Sequence, residues 1–245
     1  MRRRNYELKI KFEESGEIVT IRPPFRISFS CFKATDGAGF NRTTLKLYNL
    51  SPVVRERLLR GPADSNFIHV TLSVGYNNKL DVLVSANVMR GLIERSDADI
   101  VSTLECLDVG FFGNDSEPPY VSKVVQSKKE AYAELKRRGL DVGKITEQPD
   151  IVRPKLIHGD LTDSLESLLS AGDEWFIDDG KLHVLKANGE VIDDFVPVIS
   201  AESGLVGVPT RDMNMLELTT IINPSVKIGT MAEVKSSLNP RMNGM

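Results

Sequence analysis

Between Tyr6 and about Val109, apolar residues fall at every second position in short runs, and turn residues separate one run from the next. Successive side chains on a strand point to opposite faces, so a chain with this period builds half-buried antiparallel sheets. In the first run Tyr6, Leu8, Ile10 and Phe12 share one face, with Glu7, Lys9 and Lys11 on the other. Glu14-Ser15-Gly16 reads as a hairpin turn into a return strand from Ile18 to Ile21. Pro23-Pro24 removes two backbone donors and ends that pairing, before Phe25, Ile27, Phe29 and Cys31 resume the alternation. Tyr6, Leu8, Ile10 and Phe12 are predicted to face a shared core with Phe25, Ile27 and Phe29. Runs from Thr43 to Tyr48, Phe67 to Gly75, Asp81 to Glu94 and Ile100 to Val109 complete a region expected to form an antiparallel barrel or sandwich, residues 1–112.

One short helix is predicted inside this region. Ser51 is placed to cap it, Pro52 takes the first helical position where its missing N–H costs nothing, and Gly61-Pro62 supplies a stop. Val54 and Leu58, four apart, form its apolar stripe.

From about Gly113 to Asp194 the period changes, and a small α/β subdomain is expected over residues 113–195. Ser127-Lys128-Lys129-Glu130 has capping-box spacing and opens a helix that closes at Gly139. Thr162 is read as the cap of a second helix carrying Leu165, Leu168 and Leu169 and ending near Gly172. Trp175-Phe176-Ile177, a turn at Asp178-Asp179-Gly180, and Leu182 to Leu185 read as a hairpin. Leu165, Leu168 and Leu169 should pack on Trp175 or on the strand of Leu182 and Val184. Residues 196–245 return to strand character through Met215 to Ile222, and are expected to complete the first barrel or to start a second. The fold class is therefore α+β, dominated by β-structure.

At 245 residues and 41% hydrophobic content, the chain can bury one large core or two small ones. Its longest apolar runs, such as Val82-Leu83-Val84, are far short of the roughly 20 residues a membrane helix needs, so no membrane anchor is expected. The N-terminus enters a strand without a secretory-type apolar stretch, which predicts folding in the cytoplasm. Cys31 and Cys106 both lie in strand-like runs and are expected to be buried free thiols. The net charge of −3 argues against a protein that coats nucleic acid, and Arg2-Arg3-Arg4 reads as a solvated arm.

The search for chemistry predicts no catalytic, cofactor or metal residues. His69, His158 and His183 lie in separate segments without a His or Cys partner at ligand spacing. Gly37-Ala38-Gly39 links two strands instead of opening a helix, so it is read as a loop and not a phosphate cradle. Asp178-Asp179 and Asp193-Asp194 are adjacent pairs whose side chains diverge, unlike the facing carboxylates of a glycosidase. Trp175 is read as core, and Lys136-Arg137-Arg138 as a solvated last turn complementing the helix dipole.

Several stretches, in order, resemble the hub family of contractile-tailed bacteriophage baseplates. They are Leu45 to Ser51, Val70 to Tyr76, Arg90 to Glu94 followed by Ile100 to Asp108, the helix-plus-hairpin unit from Gly159 to Leu185, Gly204 to Pro209, and Ile221 to Gly229. The resemblance implies a tube-type β-barrel joined to a small α/β domain, in a homo-oligomeric ring, trimer or hexamer. The ring would bind a tail-tube or tube-initiator protein on one side, and the central spike and other baseplate proteins on the other. It implies a virion location, no enzymatic activity and no specific nucleic acid. Similar proteins run on past the segment resembling Asn243-Gly244 with another strand pair, whereas this chain stops at Met245, which leaves closure of a last barrel strand open. The interfaces are expected at strand edges and loops, among them the loop from Asp36 to Asn41 and the N-terminal arm. Two other classes compete: a tail-associated hydrolase of cell wall or nucleic acid, which would cluster titratable groups in a cleft, and a monomeric ligand-binding β-module with an exposed aromatic patch.

Overall fold

The computed structural model describes residues 3–34, 41–59, 67–77, 79–108, 121–137, 140–159, 161–170, 172–186, 191–192, 195–213 and 215–244. The first alternating run is β1 (Arg4–Phe12), which pairs antiparallel with β2 (Ile18–Ile21) across a turn that Gly16 enters at φ 67°. With β3 (Ile27–Phe32), β4 (Arg42–Tyr48), β5 (Ile68–Tyr76), β6 (Lys79–Ser96) and β7 (Asp99–Leu107) they make a seven-stranded sheet in the order β2-β1-β5-β6-β7-β4-β3. All its pairings are antiparallel. Leu8, Ile10, Val70, Leu72, Leu45 and Leu47 are fully buried in one cluster. Both ends of the sheet feed that cluster, so the sheet curls around its own apolar face.

The 18-residue β6 makes the curl possible. It carries bulges opposite Leu72/Ser73 and between Val88 and Arg90, and its buried positions step from Val84 to Ala86 to Val88 and then three residues to Gly91. Each extra residue bends the strand and resets which side chains face inward. Helix α1 (Pro52–Leu58) contributes Leu58 to the same core, with Ser51 Oγ accepting from Val54 N–H at 3.4 Å. The Gly61-Pro62 stop lies outside the described residues.

The antiparallel β-sheet is as expected, and among the described residues its closure into a barrel is not seen: β2 and β3 are its outer strands and do not pair with each other. Only four residues long, β2 runs straight into Pro23-Pro24, which offers no N–H to extend a ladder. Phe25 does not join the core set; it is 53% exposed because it sits in the turn before β3, where its carbonyl accepts from the Tyr6 hydroxyl. Ile27 and Phe29 pack half-buried against the cluster as expected.

The middle of the chain folds as α/β. Its elements are β8 (Val121–Val125), α2 (Lys128–Arg137), β9 (Asp141–Ile145), β10 (Lys155–Gly159), α3 (Leu161–Leu168), β11 (Asp173–Asp178) and β12 (Lys181–Lys186). β10 pairs antiparallel with β8, while β12 pairs antiparallel with β11 and parallel with β9. At the head of α2, Ser127 Oγ accepts from Glu130 N–H at 3.2 Å and Glu130 Oε2 accepts from Gln126 N–H at 2.8 Å. α3 begins one residue before the expected cap, so Thr162 is its second residue. Leu165, Leu168, Trp175, Leu182 and Val184 share a second buried cluster, with Leu169 packed against it. The β11–β12 turn has Asp179 at φ 51° and Gly180 at φ 76°, the pair of positive values that a two-residue hairpin turn requires.

The last segment pairs within itself. β13 (Val198–Ser200) lies parallel to β16 (Glu233–Lys235), and β14 (Leu205–Asp212) forms an antiparallel hairpin with β15 (Met215–Thr220). Among the described residues none of the four adds to the seven-stranded sheet.

Candidate functional site

The residues singled out in the sequence are dispersed by the fold. His183 is 8% exposed: its Nδ1 accepts from Lys144 N–H at 3.1 Å and its ring stacks on Phe176 at 5.3 Å. Gly143 allows this, since a Cβ there would lie 2.4 Å from the imidazole. Trp175 is 5% exposed within the second core. Cys31 and Cys106 are free thiols, and burial pushes Cys106 up to about 12. Thr43 pairs with Cys31 on one side and Cys106 on the other, so the cysteines stand two strand spacings, about 10 Å, apart, beyond bonding reach. Gly37-Ala38-Gly39, Asp193-Asp194, Arg2 and Arg138 lie outside the described residues, as does the Asp36 to Asn41 loop except Asn41. Among the described residues no group of three or more His, Cys, Asp or Glu side chains is placed to hold a metal ion, and no helix is long and apolar enough to cross a membrane.

One polar cluster does form, at the joint between the two cores. Asn41, just before β4, donates from Nδ2 to Asp108 Oδ2 at 2.6 Å and to the Ile177 carbonyl at 2.7 Å. Its orientation is fixed by Ala34 N–H, which donates to Asn41 Oδ1 at 3.1 Å. Lys33, just after β3, donates to Asp178 and lies 3.5 Å from Asp179. Asp178 thus ends in an ion pair with the first sheet, and the Asp178-Asp179 pair serves as a tether. Burial opposes the Lys33 charge, but Asp178 and Asp179 outweigh it and hold the ammonium above its usual range. Burial pushes Asp108 up to about 7, against the Asn41 hydrogen bond, which pulls it down. The sequence reading missed this joint, because Lys33 and Asn41 are far in the chain from Asp108 and Asp178 and none forms a local motif.

A second arrangement sits on the polar face of the sheet. His69 on β5 lies across from Asn87 on β6, with His69 Nδ1 2.9 Å from Asn87 Oδ1 and Nε2 3.1 Å from Ser85 Oγ. The spacing is that of a nucleophile, base and orienting amide. An acyl-transfer site also needs donors aimed at a developing oxyanion. On a strand the neighbouring amides lie in the sheet plane, across the direction in which the side chains stand. The three side chains are therefore a cross-strand polar network.

The remaining features are surfaces. The outer edges of β2 and β3 carry no strand among the described residues. The β14–β15 hairpin leaves apolar side chains in solvent, with Val206 51%, Val208 48% and Met215 69% exposed. A two-stranded hairpin is marginal in water without a covering layer.

Comparison with known proteins places this architecture. No curated protein matches the sequence. Among solved structures, the fold is similar to a tail protein of Neisseria meningitidis MC58, with a TM-score of 0.50 and 11% identity over 94% of this chain and 71% of that one. Also found are the 43 kDa tail protein of prophage MuSo2 from Shewanella oneidensis, at TM-score 0.49, 11% identity, 94% of this chain and 71% of that one, and a lidless PdpA–VgrG complex, at TM-score 0.48, 11% identity, 96% of this chain and 49% of that one. A family model described as baseplate hub gp41 matches residues 8–245. The chain therefore belongs to the baseplate hub gp41 family, and its role is that of a structural hub component of a bacteriophage tail baseplate.

Proposed function

We propose that the protein works as a closed homomeric ring, a trimer or hexamer, that connects a tail-tube or tube-initiator protein to the central spike and has no catalytic activity of its own. The observation that carries this reading is the open seven-stranded sheet. It is curled around one core, yet among the described residues its outer strands β2 and β3 have no partner strand. Unpaired edges are templates for pairing with another chain, and cyclic assembly removes them. In this reading residues 1–112 form the tube-type barrel wall once neighbours are in place, 113–195 form a peripheral α/β domain, and 196–245 supply a further β segment at the contact between neighbours. The polar face of the sheet, with Lys9, Lys11, Thr71, Thr103 and Glu105, suits a surface that stays wet in the assembly. Assembly in the host cytoplasm follows from the same reading, as does the absence of a membrane anchor and of specific nucleic acid.

The test is mass measurement and imaging of the purified chain, alone and mixed with its tube and spike neighbours. Rings or ring-containing complexes with three or six copies are expected, each contact burying upward of roughly 1,000 Å². Failure to join any tube or spike component would defeat the reading. The competing hydrolase reading draws on the Ser85–His69–Asn87 spacing, and ester or cell-wall turnover that disappears in Ser85→Ala would establish it instead.

A further inference from the structure

The joint between the two cores gathers the carboxyl groups of Asp108, Asp178 and Asp179; the Lys33 ammonium pairs with Asp178 and lies 3.5 Å from Asp179, and among the described residues no ion pair reaches Asp108. That ammonium is committed to the β11–β12 turn. Asp108 is 4% exposed and receives a neutral amide from Asn41, and its Oδ1 is buried with no hydrogen-bond partner among the described residues. With all three carboxyls ionised, the joint would carry uncompensated negative charge in a poorly solvated place, and a proton on the group farthest from a cation relieves it.

We propose that this joint is a proton-operated latch between the seven-stranded sheet and the α/β unit, closed on a neutral Asp108 and loosened when Asp108 ionises. The groups that act on it come from each side. From the sheet, Lys33 favours the ionised form and Asn41 hydrogen-bonds the carboxyl. From the hairpin, Asp178 opposes ionisation, while Ile177 shares the Asn41 amide through its carbonyl. Further out, Cys31 and Asp179 both interact with Lys33, Lys227 acts on Asp179, and Asp178 and Lys181 act in opposite senses on His183. The sign follows from proton counts. Burial lifts Asp108 from 3.8 to about 7 in the closed joint, so the closed form binds more protons than an opened one between those values. Its advantage is complete at low pH, falls as pH rises toward 7, and is constant above.

The experiment is amide hydrogen exchange on the full chain from pH 5 to pH 8, corrected for the intrinsic pH dependence of exchange. It reads Asp108, whose N–H donates to Asn41 O, and the β11–β12 turn. The opening constant of the joint should rise by roughly ten- to a hundredfold across that range in the unaltered protein, and should stay flat in Asp108→Asn. Amides of the β1–β5 ladder should show no such rise. Equal slopes in both proteins, or a rise shared by the β1–β5 ladder, would overturn the latch. A carbon-detected titration of the Asp108 carboxyl needs no variant: a midpoint near 7 supports the proposal, and one near 4 ends it.

Discussion

The seven-stranded sheet and the β14–β15 hairpin use the same residues to different ends. Val70 and Leu72 on β5 are fully buried, whereas Val206 and Val208 on β14 are about half exposed. Both strands pair antiparallel with a neighbour, although only β5 alternates in burial. What differs is the layer above them: β5 has a curled sheet and α1 over its apolar face, while among the described residues β14 has its hairpin partner and little else. A valine in a strand therefore does not report whether its face is covered by the same chain.

Substitutions can break or sharpen this contrast. Leu72→Ala should lower the stability of the isolated chain by about 2–5 kcal/mol in denaturant unfolding, and Leu168→Ala should do the same in the second core. A loss below about 1 kcal/mol for Leu72 would mean that the curled face is as open as the hairpin. Next in size is Asn41→Ala. It strips the donor from Asp108 Oδ2 and from the Ile177 carbonyl, and should cost about 1–3 kcal/mol, seen as earlier unfolding or faster proteolysis at the joint. Ser51→Ala removes the cap of α1 and should cost about 1 kcal/mol by thermal unfolding. Val208→Ser should fall within about 0.5 kcal/mol for the isolated chain, because the side chain is already in water. The same change should weaken assembly in sedimentation or mass measurement; an unfolding cost as large as that of Leu72→Ala would show that the hairpin is held by its own chain.

Legibility followed the range of each interaction. β1, α1 and the Asp179-Gly180 turn were readable because a period of two, a cap with a proline behind it, and a turn dipeptide are local signals. Three strands of the α/β unit, β8, β9 and β10, were missed. Two of them pair antiparallel with each other across residues 126–154, and the third lies parallel to β12, so none is announced by a neighbouring turn. The bulges of β6 were also invisible, since Leu83 and Met89 look like ordinary members of an apolar run. In the joint only the Asp178-Asp179 turn was noticed, and its partner Lys33 lies 145 residues away.

The sequence alone therefore determined the strands of the first sheet and most of the faces they bury, because side-chain direction along a strand depends only on position in the chain. How the sheet curls, which strands stay uncovered among the described residues, and that Asn41 and Lys33 tie one core to the other were decided by tertiary structure. Those outcomes depend on how far the bulged β6 bends and on which residues, remote in the chain, the bend brings within hydrogen-bonding distance.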